Sequence, residues 1–243
     1  MYIGVKELIS ELKKPFDRLG KATSKAKANI KERGESIRDK DLVQEEVELI
    51  LAEWDRKRDR GIAVHEQLCD KELKENKKAK FEGYKVSLFD SKEPVEKIQA
   101  KLENNTTYLE KMLVSNKYKV LGFADKIDIY RSTINITDNK TTDKIYRSSS
   151  FKSDKGFQVA GAKMSEPISH LDDCNYIDAV LQLSLYMYLA WESNKNLKIG
   201  KLFIRHIKLN EAGKKVADTL IPVPYMKDEV KKILKYRSLN NEG

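Results

Sequence analysis

Hydrophobic positions in the first third of the chain recur at helical spacing. Residues 5–13 form a short amphipathic start that Pro15 ends. A basic stretch follows, with Lys21, Lys25, Lys27, Lys31 and Arg33, and Gly34 reads as its stop. Leu42, Val43, Val47, Leu51 and Trp54 predict a helix over 41–59, and a second helix is expected from about Ile62 to Glu75. The period then changes. Residues 107–114, 118–130 and 133–140 read as strands. A polar stretch over 147–172 carries Lys152, Lys155 and Lys163 and is long for a passive connection; such loops are binding elements or disordered. Residues 176–192 return to a helix that is apolar nearly all round, which predicts burial. Strands are expected over 199–209 and 218–223, and a last helix over 226–237. That order predicts an α/β sheet covered by helices.

Alternation along the two middle strands points to chemistry. Side chains of a strand alternate between faces, so Phe123, Asp125, Ile127 and Ile129 are expected on one face, and Ile134, Ile136, Asp138 and Lys140 on one face of the next. A tight turn at Arg131-Ser132 would pair Tyr130 with Thr133, Ile129 with Ile134, Ile127 with Ile136 and Asp125 with Asp138. Two carboxylates would then oppose each other on an apolar face, where like charges repel and burial is costly. A divalent cation between them would remove the conflict, with Lys140 as a positive neighbour. Asp128 falls on the other face as a solvated charge, and Glu66 reads as a helix-surface residue. His65, beside Val64, Leu68 and Cys69, reads either as a core histidine or as a ligand.

Composition narrows the classes. The chain has 243 residues, 40% hydrophobic and 35% charged, with a formal net charge of +9. That size suits one domain with a real core. The excess of positive charge favours a polyanionic partner, nucleic acid before an anionic membrane. Cys69 and Cys174 are too few for a structural zinc site or a four-cysteine iron–sulfur cluster. The first residues lack a signal-peptide core, and the apolar run near Leu181 to Ala190 is too short to span a bilayer. A soluble intracellular protein is expected, with no membrane partner.

The ordered residues resemble a family. Gly122 to Asp125 reads as Gly-x-x-Asp, and Asp138-Asn139-Lys140-Thr141 as Asp-x-Lys-Thr. Gly61-Ile62-Ala63-Val64-His65-Glu66 supplies a glycine followed shortly by histidine, and Gln182-Leu183-Ser184-Leu185-Tyr186 reads as Gln-x-x-x-Tyr. This set, in this order, is similar to the RecB-like exonucleases of the PD-(D/E)XK nuclease superfamily, among them phage and mitochondrial genome maintenance exonucleases. The resemblance implies a restriction-endonuclease-like core, a mixed central β-sheet flanked by helices, with a helical N-terminal region. It implies one nuclease domain over 1–243, with a helical part over 1–80 and a sheet core over 81–243. It implies Mg2+ or Mn2+ held by Asp125, Asp138, His65 and the carbonyl of Asn139, with Asp125, Asp138 and Lys140 as the catalytic set. Lys140 would orient or activate the attacking water. Gln182 and Tyr186 would brace the site or contact DNA. An iron–sulfur subgroup is not expected.

Lys144, Arg147, Lys152 and Lys155, with Lys21, Lys25 and Lys27, are candidate contacts to the phosphate backbone, and Tyr146 and Phe151 could stack on unpaired bases. The expected function is metal-dependent hydrolysis of DNA from single-stranded ends in replication, recombination or repair. Replication or recombination proteins are expected partners, and the cytoplasm of a bacterium or phage-infected host the expected location. A structure-specific endonuclease and a non-catalytic nucleic-acid-binding module are the alternatives.

Overall fold

The computed structural model describes residues 1–78, 85–88, 94–98, 101–152, 158–210 and 212–241. In chain order the helices are α1 (Val5–Glu11), α2 (Arg18–Glu32), α3 (Lys40–Lys78), α4 (Asn175–Glu192) and α5 (Lys227–Asn241). The strands are β1 (Ile3–Gly4), β2 (Lys85–Leu88), β3 (Thr106–Ser115), β4 (Val120–Tyr130), β5 (Thr133–Lys140), β6 (Phe151–Lys152), β7 (Gln158–Val159), β8 (Lys198–Leu209) and β9 (Lys215–Val223). The chain divides into two compact units. One holds Met1–Lys14 with Leu68–Gly243, the other Pro15–Gln67.

The first unit is an α/β structure built on a mixed sheet of seven strands among the described residues, in the order β2-β3-β4-β5-β8-β9, with β1 beside β4. The pairs β3–β4, β4–β5 and β8–β9 are antiparallel; β1–β4, β2–β3 and β5–β8 are parallel. The parallel crossover from β5 to β8 contains α4, which packs on β3, β4, β5 and β8. Apolar side chains surround α4 because the sheet lies on one side and α1 and α5 on the other. Ile127, Ile129, Ile134 and Ile136 of the sheet and Val180, Leu181, Leu183 and Leu185 of α4 are fully buried in one core. α1 belongs to that core through Val5, Leu8 and Ile9.

The second unit pairs α2 with the first part of α3. Ala22 and Ala26 pack on Val47 and Ile50, with Trp54 at the margin. Asp17 caps α2 by accepting from the Gly20 N–H at 2.8 Å, and Gly34, at φ 76°, stops the chain just past the helix. Lys21, Lys25 and Lys27 lie exposed on α2.

Two expectations need correction. The helices expected over 41–59 and 62–75 are one continuous helix, α3. A single helix-interior glycine costs about 1 kcal/mol, and Arg60 and Ala63 near Gly61 are strong helix formers. The polar stretch over 147–172 is also not an open loop in its described parts. β6 and β7 form a short hairpin, Met164 and Ile168 are buried, and the Ser165 N–H donates to the Leu12 carbonyl at 2.7 Å. Residues 153–157, and so Lys155, lie outside the described residues, as do the side chains of Phe151 and Lys152. No helix among the described residues is long and apolar enough to cross a membrane.

Candidate functional site

The β4–β5 hairpin sets the site. Its turn residues Arg131 and Ser132 have φ of 48° and 58°, as a two-residue turn of the mirror-image type requires. The register follows: Tyr130 opposes Thr133, Ile129 opposes Ile134 and Ile127 opposes Ile136. Regular pairing ends at Lys126 and Thr137. One step further, where the register would set Asp125 against Asp138, the strands part. The Asp125 carboxylate fills the gap and accepts from the Asn139 N–H at 2.6 Å.

The face of β4 is not uniform, which corrects the simple alternation. Val120, Gly122 and Ala124 are buried, then Ile127 and Ile129, while Phe123 is exposed. The burial phase changes at Asp125 and Lys126. The cause lies on the neighbouring strand: Glu110 of β3 sits where the ladder would pair it with Asp125, and its φ is 50°. A non-glycine residue in that region inside a strand is strained by about 1–3 kcal/mol, and such outliers concentrate at functional sites. A Glu110 carboxylate oxygen comes within 4.8 Å of one on Asp125. Pattern reading missed Glu110, because its significance lies in a backbone angle and in what it opposes.

Asp138 is 1% exposed. Its Oδ1 accepts from Gln182 Nε2 at 2.8 Å. Its Oδ2 is buried and receives no hydrogen bond; the Lys140 ammonium, 2.7 Å away, meets it as a charge. Lys140 Nζ also donates to Gln182 Oε1 at 3.0 Å, and Gln182 Nε2 donates to the Tyr186 hydroxyl at 3.0 Å. The amide can be oriented only one way, since an NH2 turned toward Lys140 would face a group that only donates. Gln182 and Tyr186 stand one turn apart on α4, both buried, with these polar groups spent on the carboxylate, the lysine and each other. These bonds tie the carboxylate, the lysine, the amide and the phenol together. Gly122 makes room for it: a Cβ there would lie 2.5 Å from Tyr186 Cε1 and 3.0 Å from Val5 Cγ2.

The electrostatics express the crowding. Burial, and then the charge of Asp138, push the Asp125 carboxyl well above the usual range, and the Asn139 N–H opposes this only in part. Burial and the Asp138 charge also push the Tyr186 phenol up, so its hydroxyl stays protonated. Glu110 and Asp125 offer carboxylate oxygens within 4.8 Å of each other, a pair that suits a hard divalent cation, while Asp138 acts on Asp125 as a nearby charge.

The other sequence candidates are placed as follows. His65 is half-buried on α3 and belongs to the second unit; Glu66 beside it is exposed. Asp128 lies half-buried and accepts from the Thr107 hydroxyl, so it is not the solvated charge expected. Lys144 is exposed, and its carbonyl accepts from Asn175 Nδ2 at 2.7 Å. Arg147 lies over the Tyr176 ring at 5.0 Å, and Tyr146 is exposed. The last turns of α3 dock through Glu72, which meets Lys126 at 3.2 Å and Arg205 at 3.1 Å.

Fold and site together define an α/β protein with a buried carboxylate–lysine centre at a parting of two strands. No protein-family model matches the chain, and no curated protein matches it. A solved structure described as "Crystal structure of SSO0001" is 14% identical, covering 98% of this chain and 76% of that one at a TM-score of 0.34. At that score the likeness carries no argument.

Proposed function

We propose that this chain is a metal-dependent DNA nuclease of the PD-(D/E)XK kind, acting as an exonuclease on single-stranded ends. The observation that carries the reading is the convergence of Asp125, Asp138 and Lys140 where β4 and β5 part. A phosphodiester is anionic and repels hydroxide, so hydrolysis needs a nucleophile made locally and a sink for growing negative charge. Mg2+ or Mn2+ bound at Asp125, Asp138 and Glu110 would acidify a water and polarise the phosphoryl oxygen. Lys140 donates to Gln182 and meets Asp138 as a charge; a remaining donor can orient a water or meet the phosphate. Gln182 fixes both the lysine and the carboxylate, and Tyr186 fixes Gln182. His65 and the Asn139 carbonyl enter as further ligands only through the motif resemblance. Restriction to ends, a role in replication, recombination or repair, and action in a bacterial or phage-infected cytoplasm rest on the same resemblance.

The test is cleavage of end-labelled linear single-stranded DNA with Mg2+, with Mn2+ and with EDTA, beside Lys140→Ala. Metal-dependent cutting that falls at least a hundredfold in the variant is expected, in line with the size of acid–base and electrostatic contributions. A closed circular single strand resists an exonuclease, so cutting of the circle would move the reading to an endonuclease. Binding without cutting of DNA or RNA under either metal would leave only a binding module.

A further inference from the structure

A notch of about 180 Å3 is lined by Lys6, Ile9, Ser10, Lys13, Asp178 and Gln182. We propose that this notch seats a backbone phosphate of the DNA strand that reaches the carboxylate centre. The inference rests on the nuclease reading and adds where the strand is held.

Size comes first. Sites that enclose a whole small molecule run to about 300–1,000 Å3, so this notch fits a group on a passing chain. Position comes second. Gln182 belongs to both places, with its amide on Asp138 and Lys140, so a group held here is one side chain from the site.

The chemistry is third. Lys6 and Ser10 stand one turn apart on α1, on the side away from its buried Val5 and Leu8, and Lys13 follows in the turn that closes the helix. Lys13 is fixed by Asp173 at 3.0 Å and Asp178 at 2.8 Å, whose two charges outweigh its one but leave its third donor, so the positive charge of the notch is that of Lys6. Lys6 is exposed and has no ion pair among the described residues, and the Ser10 hydroxyl has no hydrogen bond among them. One uncompensated cation, a hydroxyl and a preset ammonium are what a singly charged phosphodiester needs. The Asp178 charge opposes any anion, the phosphodiester included, so the seat depends on Lys6, Ser10 and the third donor of Lys13.

The test is binding of a fluorescent single-stranded oligonucleotide in EDTA, by anisotropy, across a salt series. Wild type is compared with Lys6→Gln and with Lys14→Gln, an exposed neighbour that does not line the notch. Losing one phosphate contact on a single strand lowers the slope of log K against log salt by about 0.7. That drop is expected for Lys6→Gln and not for Lys14→Gln. A neutral methylphosphonate walked along the oligonucleotide should weaken wild type at one position that no longer matters in Lys6→Gln. An unchanged slope in Lys6→Gln, or equal drops in both variants, would overturn the seat. Cleavage assays on the same preparations keep the two readings apart. Lys6-dependent binding without cutting keeps the seat and loses the nuclease; cutting with Lys6→Gln indistinguishable from Lys14→Gln does the reverse.

Discussion

Gly122 shows how one residue serves a site it does not touch chemically. Its missing side chain lets the Tyr186 ring lie against β4, and Tyr186 holds Gln182, which holds Asp138 and Lys140. Added methylenes in a filled space cost about 1–3 kcal/mol. Gly122→Ala is therefore expected to lower Tm by several degrees in a thermal melt, and to depress cutting further than the stability loss explains. In the sequence Gly122 was one letter of a motif; the contact with Tyr186, 64 positions later, gives that letter a cause. Glu110 had no motif at all. Its left-handed backbone and its place opposite Asp125 exist only once β3 and β4 pair.

At the scale of elements, the β4–β5 hairpin was readable because alternation and a short turn fix one register. The same turn is costly. Each left-handed non-glycine residue costs about 1–2 kcal/mol, and Asn-Gly is the preferred pair for this geometry. Replacing Arg131-Ser132 by Asn-Gly should raise stability by about 1–2 kcal/mol in urea unfolding without moving the metal response. The β8–β9 pair offers a pH test. Asp218 accepts from Arg205 at 2.9 Å and 2.8 Å, and this hydrogen-bonded guanidinium, aided by Lys215, holds its carboxyl down at about 2. A lowered folded pKa gives stability that is present above the ordinary value near 3.8 and lost as pH falls toward 2. Asp218→Asn should cost about 1 kcal/mol at pH 5, allowing for solvent screening, and should flatten the acid limb between those values. Urea midpoints at pH 5 and pH 2.5 for both proteins check this.

Across the whole molecule, the stability of the first unit is tied to its site. Asp125 is desolvated, faces the charge of Asp138 and lies near Glu110, an arrangement that disfavours the apo fold at neutral pH. A cation that binds only the folded state adds about 2.7 kcal/mol at a hundred times its Kd. Addition of Mg2+ or Mn2+ should raise Tm by several degrees in differential scanning fluorimetry. Glu110→Gly should melt no lower than wild type without metal, since the backbone strain is relieved, yet respond less to metal. An equal metal shift in both proteins would remove Glu110 from the ligand set.

The sequence alone determined what depends on period and short range. The strands over β3 to β5, the buried helix α4, the turn at Arg131-Ser132 and the positions of Asp138 and Lys140 on one strand face all follow from alternation, helical spacing and chain reach. Tertiary structure decided what depends on distant neighbours. It joined two expected helices into α3, since local glycine cost alone could not say whether the helix would break. It moved α1 from the helical N-terminal part into the sheet's core, because its apolar face is covered by α4. It turned Asp128 into a hydrogen-bonded residue through Thr107, changed the burial phase of β4 at Asp125, and brought in Glu110. Each of these rests on a partner that lies far along the chain or on a backbone angle, and neither leaves a periodic trace in the residues themselves.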